Sequence, residues 1–402
     1  MVPAVLMSVR AADLDRYGPF WREIISMTRK KPWKLILMLS IIVLALAGAA
    51  VLVVTLVNPE VDVETERQEV LGPLDKNQGV SGLDLSAKDL SKASLEMLSG
   101  LVYDNATVWP DVSKLPASFS PSGWLDACRD PGLGVRDLHR QGITGQGVSV
   151  AVFDKPIDST HMEYGGRLVY MPVKDISGSF ETLHFHGQAC ASIIAGDTCG
   201  VAPGVKLYYF AVPDNGMNIE NYCAAMDALI AFNQALPAGE KIRLLSISDG
   251  LQEQGTDWEH FSAALARAKA AGIDVNYSNS LGNRFFEGGC PPYKDKDDPD
   301  NYIYRYPEAK KAPFPVVIVP GDYRTTAENE SSSACRYWNE GGFSWTIAYT
   351  AGLCALAYQV DPGITYEKIL DLLYDTRTVN KSGSFVVDPA AFIQAVEADK
   401  SH

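Results

Sequence analysis

The chain has 402 residues, of which 47% are hydrophobic, and its formal net charge is −14 at pH 7. A chain of this length and apolar content can bury one large core or two modest ones, so a wholly disordered protein is excluded. The acidic balance argues against a nucleic-acid-binding surface, and no nucleic-acid partner is expected.

Residues 35–57 form an uninterrupted apolar run, LILMLSIIVLALAGAAVLVVTLV, without a charged side chain. A helix of that length, at ~1.5 Å per residue, crosses the hydrocarbon core of a bilayer. Residues 1–34 carry seven Lys or Arg against three acids, and acidic residues follow the run. The positive-inside rule therefore predicts a cytoplasmic tail over 1–34 and a transmembrane signal anchor over 35–57. Residues 35–57 would contact membrane lipid, and everything after them would lie outside the cell membrane.

A cleaved signal peptide is the competing interpretation of this run, since Ala45 and Ala47 resemble a cleavage site. Signal peptides have a short positively charged segment and a shorter apolar core. The long basic segment before residue 35 and the length of the apolar run therefore favour an uncleaved anchor.

Residues 58–125 are less apolar and richer in Ser, Asp, Gly and Pro, with one short helix predicted around Leu90 to Leu101. This juxtamembrane region is interpreted as a stalk, a prosegment, or an arm packed on the next domain. The sequence leaves these three alternatives open. The domain that follows is predicted over residues 126–400.

From about residue 135 onward, short β-rich apolar runs alternate with helical stretches. Strands separated by helices indicate parallel βαβ units, so the predicted fold is α/β with a doubly wound, mostly parallel sheet. In such sheets functional side chains gather at the carboxyl ends of the strands, and Asp154 occupies one of those ends. The predicted strands lie at 148–154, 206–212 and 242–248, and the predicted helices at 187–195, 219–235 and 259–271.

The stretch GGFSWTIAYTAGLCALAYQ, residues 341–359, has apolar or small residues at three- and four-residue steps, which is typical of a buried helix. A glycine pair precedes Ser344, so this serine is predicted at the N-terminus of the helix. Free backbone N–H groups and the helix dipole there would stabilise negative charge on an attacked carbonyl. An N-capping serine is the structural alternative.

Three segments carry an acid, a histidine and a serine in that chain order: VAVFDKPIDSTH with Asp154, HFHGQACASIIAG with His186, and GGFSWTIAYTAG with Ser344. Together with GITGQGVSVAVFD, GVAPGVKLYYFAV, SISDG and VDPAAFIQAV, they resemble the subtilisin-like serine peptidases, or subtilases (peptidase S8). The resemblance covers roughly residues 135–396. It implies a subtilisin-like α/β fold and a serine endopeptidase that hydrolyses protein or peptide substrates through an acyl-enzyme intermediate.

The resemblance also assigns roles to these residues. Ser344 would be the nucleophile, His186 the base that removes its proton, and Asp154 the carboxylate that fixes the imidazole tautomer. The oxyanion hole would consist of the Ser344 backbone N–H and the side-chain amide of Asn283, with Asn279 as the runner-up. For either asparagine, a turn residue is an equally good interpretation.

The SISDG segment implies substrate-binding roles for Ser248, Asp249 and Gly250. Asp249 stands where the family usually has an apolar residue of the S1 wall, which suggests a basic P1 side chain. Phe343 and Trp345 flank the nucleophile and predict a narrowed cleft, as in a selective processing protease.

No cofactor is required for this chemistry, and the family resemblance allows structural calcium without indicating it. The acidic segment KDKDDPDNY, residues 294–302, lacks the glycine and terminal glutamate of an EF-hand and is predicted to be a solvated loop. The seven cysteines lack C-x-x-C spacing, so no metal ligands are assigned. Cys190 and Cys354 are predicted to be buried thiols, whereas Cys290 and Cys335 could pair.

Two other classes of function use a similar set of residues. An α/β-hydrolase esterase would present G-x-S-x-G with its histidine last, whereas here His186 precedes Ser344 and the serine is followed by Trp345. A catalytically silent subtilase fold that acts as a binding or regulatory module remains the alternative, because the sequence around the motifs departs from the family pattern at Gln188 and Ala348.

Overall fold

The computed structural model describes residues 73–174, 176–213, 218–249 and 255–400, all within one compact unit. The predicted cytoplasmic tail and transmembrane anchor, residues 1–57, lie outside the described residues, as does the beginning of the juxtamembrane region. Among the residues described, no helix combines the length and apolar character that a bilayer span needs.

The described secondary structure alternates between strands and helices through most of the chain. The strands are β1 (Tyr103–Asp104), β2 (Ser149–Asp154), β3 (Leu168–Pro172), β4 (Lys206–Ala211), β5 (Ile242–Ile247), β6 (Asp274–Tyr277), β7 (Phe285–Gly289), β8 (Ile303–Tyr304), β9 (Val317–Asp322), β10 (Arg324–Ala327), β11 (Cys335–Trp338), β12 (Thr378–Val379) and β13 (Phe385–Val386). The α-helices are α1 (Leu95–Ser99), α2 (Pro121–Ala127), α3 (Val135–Arg140), α4 (Phe185–Ala195), α5 (Ile219–Ala235), α6 (Gly255–Ala270), α7 (Ser278–Leu281), α8 (Phe343–Val360), α9 (Tyr366–Asp375) and α10 (Pro389–Asp399).

The main sheet has five parallel strands in the order β3-β4-β2-β5-β6. Alternate residues of β2 enter two different cores, because side chains along a strand point to opposite faces. Val150 and Val152 pack with α4 and α8 on one face, while Ala151 and Phe153 pack with α5 and α6 on the other. Helices therefore cover both faces, which confirms the predicted α/β fold with a parallel sheet.

Two smaller sheets flank the main one. A five-stranded sheet runs β12-β13-β9-β7-β8, and a three-stranded antiparallel sheet runs β1-β11-β10. Helix α8 packs between the main sheet, at β5, and the five-stranded sheet, at β9, and is buried along almost its whole length. This helix begins beside Ser344, so the N-terminus of a fully packed element positions that serine.

The short helix predicted around Leu90 to Leu101 is confined to α1, which begins at Leu95. Before it, the Asp84 and Asp89 carboxylates accept backbone N–H bonds from residues two positions on, at 2.8 and 3.0 Å. Such aspartate turns offer the backbone an alternative to helical hydrogen bonds. The local turn chemistry therefore limits the helix to five residues.

Residues 73–127, called the N-terminal arm below, pack on the rest of the described domain. Strand β1 pairs with β11 so that Tyr103 lies opposite Tyr337, and their ring centroids are 5.1 Å apart. Both tyrosines are fully buried in one cluster with Trp124 and other apolar side chains of the arm. The arm thus shares a hydrophobic core with β11.

This shared core predicts that the arm unfolds together with the domain. Tyr103→Ala removes a buried ring and the hydrogen bond from its hydroxyl to the Pro121 carbonyl, at 3.1 Å. We expect the free energy of unfolding to fall by about 3–5 kcal/mol, the usual cost of truncating a buried aromatic residue. Chemical denaturation of the two proteins would measure it.

Val112→Ala in the same arm is the matched control, because that side chain is 80% exposed. We expect it to change the unfolding free energy by less than about 0.5 kcal/mol. A Tyr103→Ala protein that unfolds at the wild-type midpoint would show instead that the arm is a separately unfolding segment.

Candidate active site

Asp154 and His186 meet at the carboxyl end of the central strand. Asp154 ends β2 and is fully buried. His186 is the second residue of α4, and the Nδ1 atom of His184 caps that helix by accepting the His186 backbone N–H at 3.1 Å. The His186 Nδ1 atom lies 2.9 Å from both carboxylate oxygens of Asp154. An Nδ1–H that donates to the carboxylate leaves Nε2 as the ring nitrogen that can accept a proton.

The charges of this pair stabilise each other. Burial alone would lower the pKa of His186, but the charge of Asp154 and its hydrogen bond to the imidazole outweigh burial and hold that pKa well above its ordinary value. Burial alone would raise the pKa of Asp154, but His186 and Lys155 hold it below its usual range. The site therefore holds an ionised carboxylate against an imidazole that readily takes up a proton, as general base catalysis requires.

Cys190 follows His186 by one helical turn, and its sulfur lies 4.0 Å from His186 Nδ1. The thiol is fully buried, and burial raises its pKa. Over the described ranges, Asp154, His186 and Cys190 are the group whose ligand atoms lie close enough together, within 4.8 Å, to hold a metal ion. A metal there would occupy the nitrogen and the carboxylate that the base needs, so we assign none.

Cys190 and Cys354 are buried thiols, as predicted. All seven cysteines are free, so Cys290 and Cys335 do not pair. Both of these thiols are buried as well.

Ser344 is the second residue of α8 and is half-buried. Both glycines before it are required. Gly342 has a φ of 71°, in the left-handed region that favours glycine, and a Cβ on Gly341 would lie 2.1 Å from the Gly321 carbonyl oxygen. The predicted position of the serine at a helix N-terminus is confirmed. Its hydroxyl makes no hydrogen bond to another described residue, and nucleophile–base hydrogen bonds are often looser in unliganded sites.

An aromatic chain connects the starts of α4 and α8. The Trp338 ring stacks on Phe185, which precedes His186, with centroids 5.0 Å apart. The Trp338 ring also packs edge-on against Trp345, which follows Ser344, with centroids 5.8 Å apart. Trp345 is only 2% exposed, so the prediction that it narrows the cleft is wrong. Its ring packs inward because α8 is buried around nearly all of its circumference.

A cavity of about 550 Å³ lies beside the start of α8 and is lined by Phe343, Asn283, Phe286, Phe314 and Glu287, among others. Asn283 therefore borders the same space as the residue that precedes Ser344. The runner-up, Asn279, lies within α7, the short helix inserted after β6, and its side chain accepts a hydrogen bond from Ser278 at 3.0 Å.

The predicted substrate-binding segment lies just beyond β5. Ser248 and Asp249 are buried there, whereas Gly250 lies outside the described residues. The Lys155 ammonium lies 2.7 and 3.0 Å from the two carboxylate oxygens of Asp249, and the Tyr222 hydroxyl donates to one of them. Sequence analysis missed Lys155, although its position directly after Asp154 at a strand end was the available signal.

The acidic segment 294–302 is held by its own contacts. Asp297 accepts the Gly134 backbone N–H at 2.8 Å. Lys296 is buried and donates to the carbonyls of Cys290 and Tyr323 at 3.2 and 3.0 Å. A uniformly solvated loop was therefore the wrong prediction at Lys296, which ties the segment to the domain.

Solved structures similar to this chain include the prenylagaramide maturation protease PagA, at 17% identity and a TM-score of 0.47 over 65% of this chain and 98% of that one. A cold-adapted subtilisin-like serine proteinase aligns at 20% identity with a TM-score of 0.44, over 60% of this chain and 89% of the other.

Curated relatives include a cuticle-degrading protease of Metarhizium anisopliae, 41% identical over 71 residues, which is 18% of each chain. The subtilisin-like protease PopC of Myxococcus xanthus is 33% identical over 108 residues, covering 24% of this chain and 21% of that protein. The chain thus spans about a fifth of the length of these two relatives.

The peptidase S8 family model, described as the subtilase family, matches residues 145–384, which is more than half of this chain. The predicted acid and histidine are paired at the end of the central strand, as the family pattern implies. The chain belongs to the subtilase family of serine peptidases.

Proposed function

We propose that this protein is a membrane-anchored, extracytoplasmic serine endopeptidase that hydrolyses peptide bonds through Asp154, His186 and Ser344. The observation that carries the proposal is the contact of His186 Nδ1 with both Asp154 oxygens at 2.9 Å. That contact lies at the start of α4, which packs against α8, the helix that begins beside Ser344.

The proposed mechanism follows from these positions. His186 Nε2 removes the Ser344 hydroxyl proton as the oxygen attacks the substrate carbonyl carbon, and Asp154 stabilises the imidazolium that forms. The Ser344 backbone N–H and the Asn283 amide donate hydrogen bonds to the oxyanion. The imidazolium then protonates the leaving amine as the peptide bond breaks, which leaves an acyl-enzyme. Water, activated by His186, releases the acid product and regenerates the serine. No cofactor takes part in these steps.

The cavity beside Asn283 and Phe343 supports a binding site for the substrate side chain before the scissile bond. Its lining includes the rings of Phe286, Phe314 and Phe343, so an apolar side chain would be desolvated on entering it. We therefore propose protein or peptide substrates with a large apolar residue at that position.

Active-site labelling tests the assignment of the nucleophile. A fluorophosphonate probe should label the wild-type protein and fail to label Ser344→Ala, because the probe reacts only with an activated serine. Ser118→Ala, on the exposed surface of the N-terminal arm, is the control and should label normally. Failure of the wild-type protein to label would favour a catalytically silent binding module.

Membrane anchoring is tested separately. Deletion of residues 35–57 removes the apolar run and should move the protein from the membrane fraction to the soluble fraction, since no other charge-free stretch of that length occurs in the chain. Alkaline extraction of membranes would measure this. Mass spectrometry of the mature N-terminus then distinguishes the anchor from a cleaved signal: a protein that begins after Ala47 would contradict the proposal.

A further inference from the structure

An ion pair lies at the sheet edge that carries the candidate catalytic residues. Lys155 follows Asp154 at the end of β2, and Asp249 lies just beyond the end of β5. These two strands are parallel neighbours, with Phe153 opposite Ile247. Their carboxyl ends therefore bring the Lys155 and Asp249 side chains together beside the Asp154–His186 pair.

Both backbone polar groups of Lys155 make hydrogen bonds. Its backbone N–H donates to Asp154 Oδ1 at 2.8 Å, and its carbonyl accepts the Tyr209 hydroxyl at 2.5 Å. The Tyr222 hydroxyl donates a hydrogen bond to the Asp249 carboxylate. Each charged side chain keeps a small exposed fraction, 17% for Lys155 and 11% for Asp249. The pair is therefore held in one position at the strand edge that carries Asp154, with a small part of each side chain accessible.

We propose that the Lys155–Asp249 pair determines the charge specificity of the substrate cleft, because the ammonium and the carboxylate neutralise each other. This inference rests on the proposed peptidase function. The pair itself carries no net charge, so substrates with uncharged side chains before the scissile bond are favoured. Asp249 then does not select basic residues, although its place in the SISDG segment, where the subtilase pattern has an apolar residue, suggests a basic P1 side chain.

The physical basis is that a partly buried charge is costly to leave without a counter-ion. Without Lys155, the Asp249 carboxylate would keep its hydrogen bond from Tyr222 but lose its cation, so a lysine of the substrate could take that place. Without the Asp249 charge, the Lys155 ammonium would attract a carboxylate of the substrate. The two single variants should therefore shift specificity in opposite directions, which a merely structural role would not produce.

The experiment compares kcat/KM for reporter peptides that differ only in carrying Leu, Lys or Glu at the first or the second position before the scissile bond. The wild-type enzyme should prefer Leu. We expect Lys155→Met to raise the Lys-to-Leu ratio about tenfold at one of these positions, and Asp249→Asn to raise the Glu-to-Leu ratio similarly. The double variant should return both ratios close to wild type.

Lys206→Met is the matched control, because Lys206 and Glu240 pair at the same 2.7 Å distance where β4 begins, away from the site. Its ratios should equal those of the wild-type enzyme. If Lys155→Met does not fold, Lys155→Gln, which keeps more of the polar character, tests the same change in ratio.

The inference is overturned if both single variants cleave the Leu peptide and keep wild-type ratios, or if both ratios move in the same direction. That result leaves the peptidase function intact. A wild-type protein that neither reacts with fluorophosphonate nor cleaves the Leu peptide would instead refute the proposed function itself.

Discussion

Replacing Ser344 with alanine is expected to lower kcat for a peptide substrate by about 10⁶-fold, the cost of removing the nucleophilic serine from subtilisin. The variant loses the oxygen that forms the acyl-enzyme, and no other step can replace it. The residual rate would come from substrate binding and oxyanion stabilisation. Steady-state kinetics on a reporter peptide with Leu before the scissile bond would measure the change.

The same variant should remain folded, which separates a chemical effect from a structural one. Ser344 is half-buried, and its hydroxyl bonds to none of the residues that the structure describes. We therefore expect its unfolding free energy to lie within about 0.5 kcal/mol of wild type. A folded Ser344→Ala protein that retains most of the wild-type kcat would show that another residue is the nucleophile.

Replacing Asp154 with asparagine is expected to lower kcat by about 10⁴-fold, as the equivalent change does in other Asp-His-Ser enzymes. The carboxylate accepts a hydrogen bond from His186 Nδ1 and so leaves Nε2 free to act as the base. An asparagine amide can instead donate to Nδ1, which places the imidazole proton on Nε2, the wrong nitrogen. Kinetics on the Leu reporter peptide would measure the loss.

The pH dependence of kcat/KM gives a second measurement of the same pair. The base works only as neutral imidazole, and the pKa of His186 is held well above its ordinary value, mainly by Asp154 acting against burial. Activity should therefore rise with pH through an apparent pKa above the ordinary histidine value of about 6.5. In Asp154→Asn the attraction is lost, so the residual activity should reach its plateau at lower pH.

Asp158→Asn is the control for this shift. Its carboxylate accepts a hydrogen bond from the Thr160 backbone at 2.9 Å and does not contact the imidazole. The acid limb of its pH profile should match that of the wild-type enzyme. An Asp154→Asn profile with an unshifted acid limb would indicate that another group controls the titration.

The sequence by itself determined the elements that carry the site. The apolar run around Asp154 predicts β2, and the three- and four-residue periodicity after Ser344 predicts α8, because both patterns are read within a short window of chain. Acid, histidine and serine in subtilase order predicted which side chains matter, and the Asp154–His186 contact agrees with that order.

Only the tertiary structure decided which side chains become partners. The Lys155–Asp249 pair depends on β2 and β5 being neighbours in the sheet, and strand order is not encoded within either strand. The inward direction of Trp345 depends on the packing around α8, and the cavity that Asn283 shares with Phe343 is formed by segments far apart in the chain. Local periodicity and turn chemistry act over a few residues, whereas burial and charge pairing are fixed by segments far apart in the chain, so the second kind of information appears only when the chain is folded.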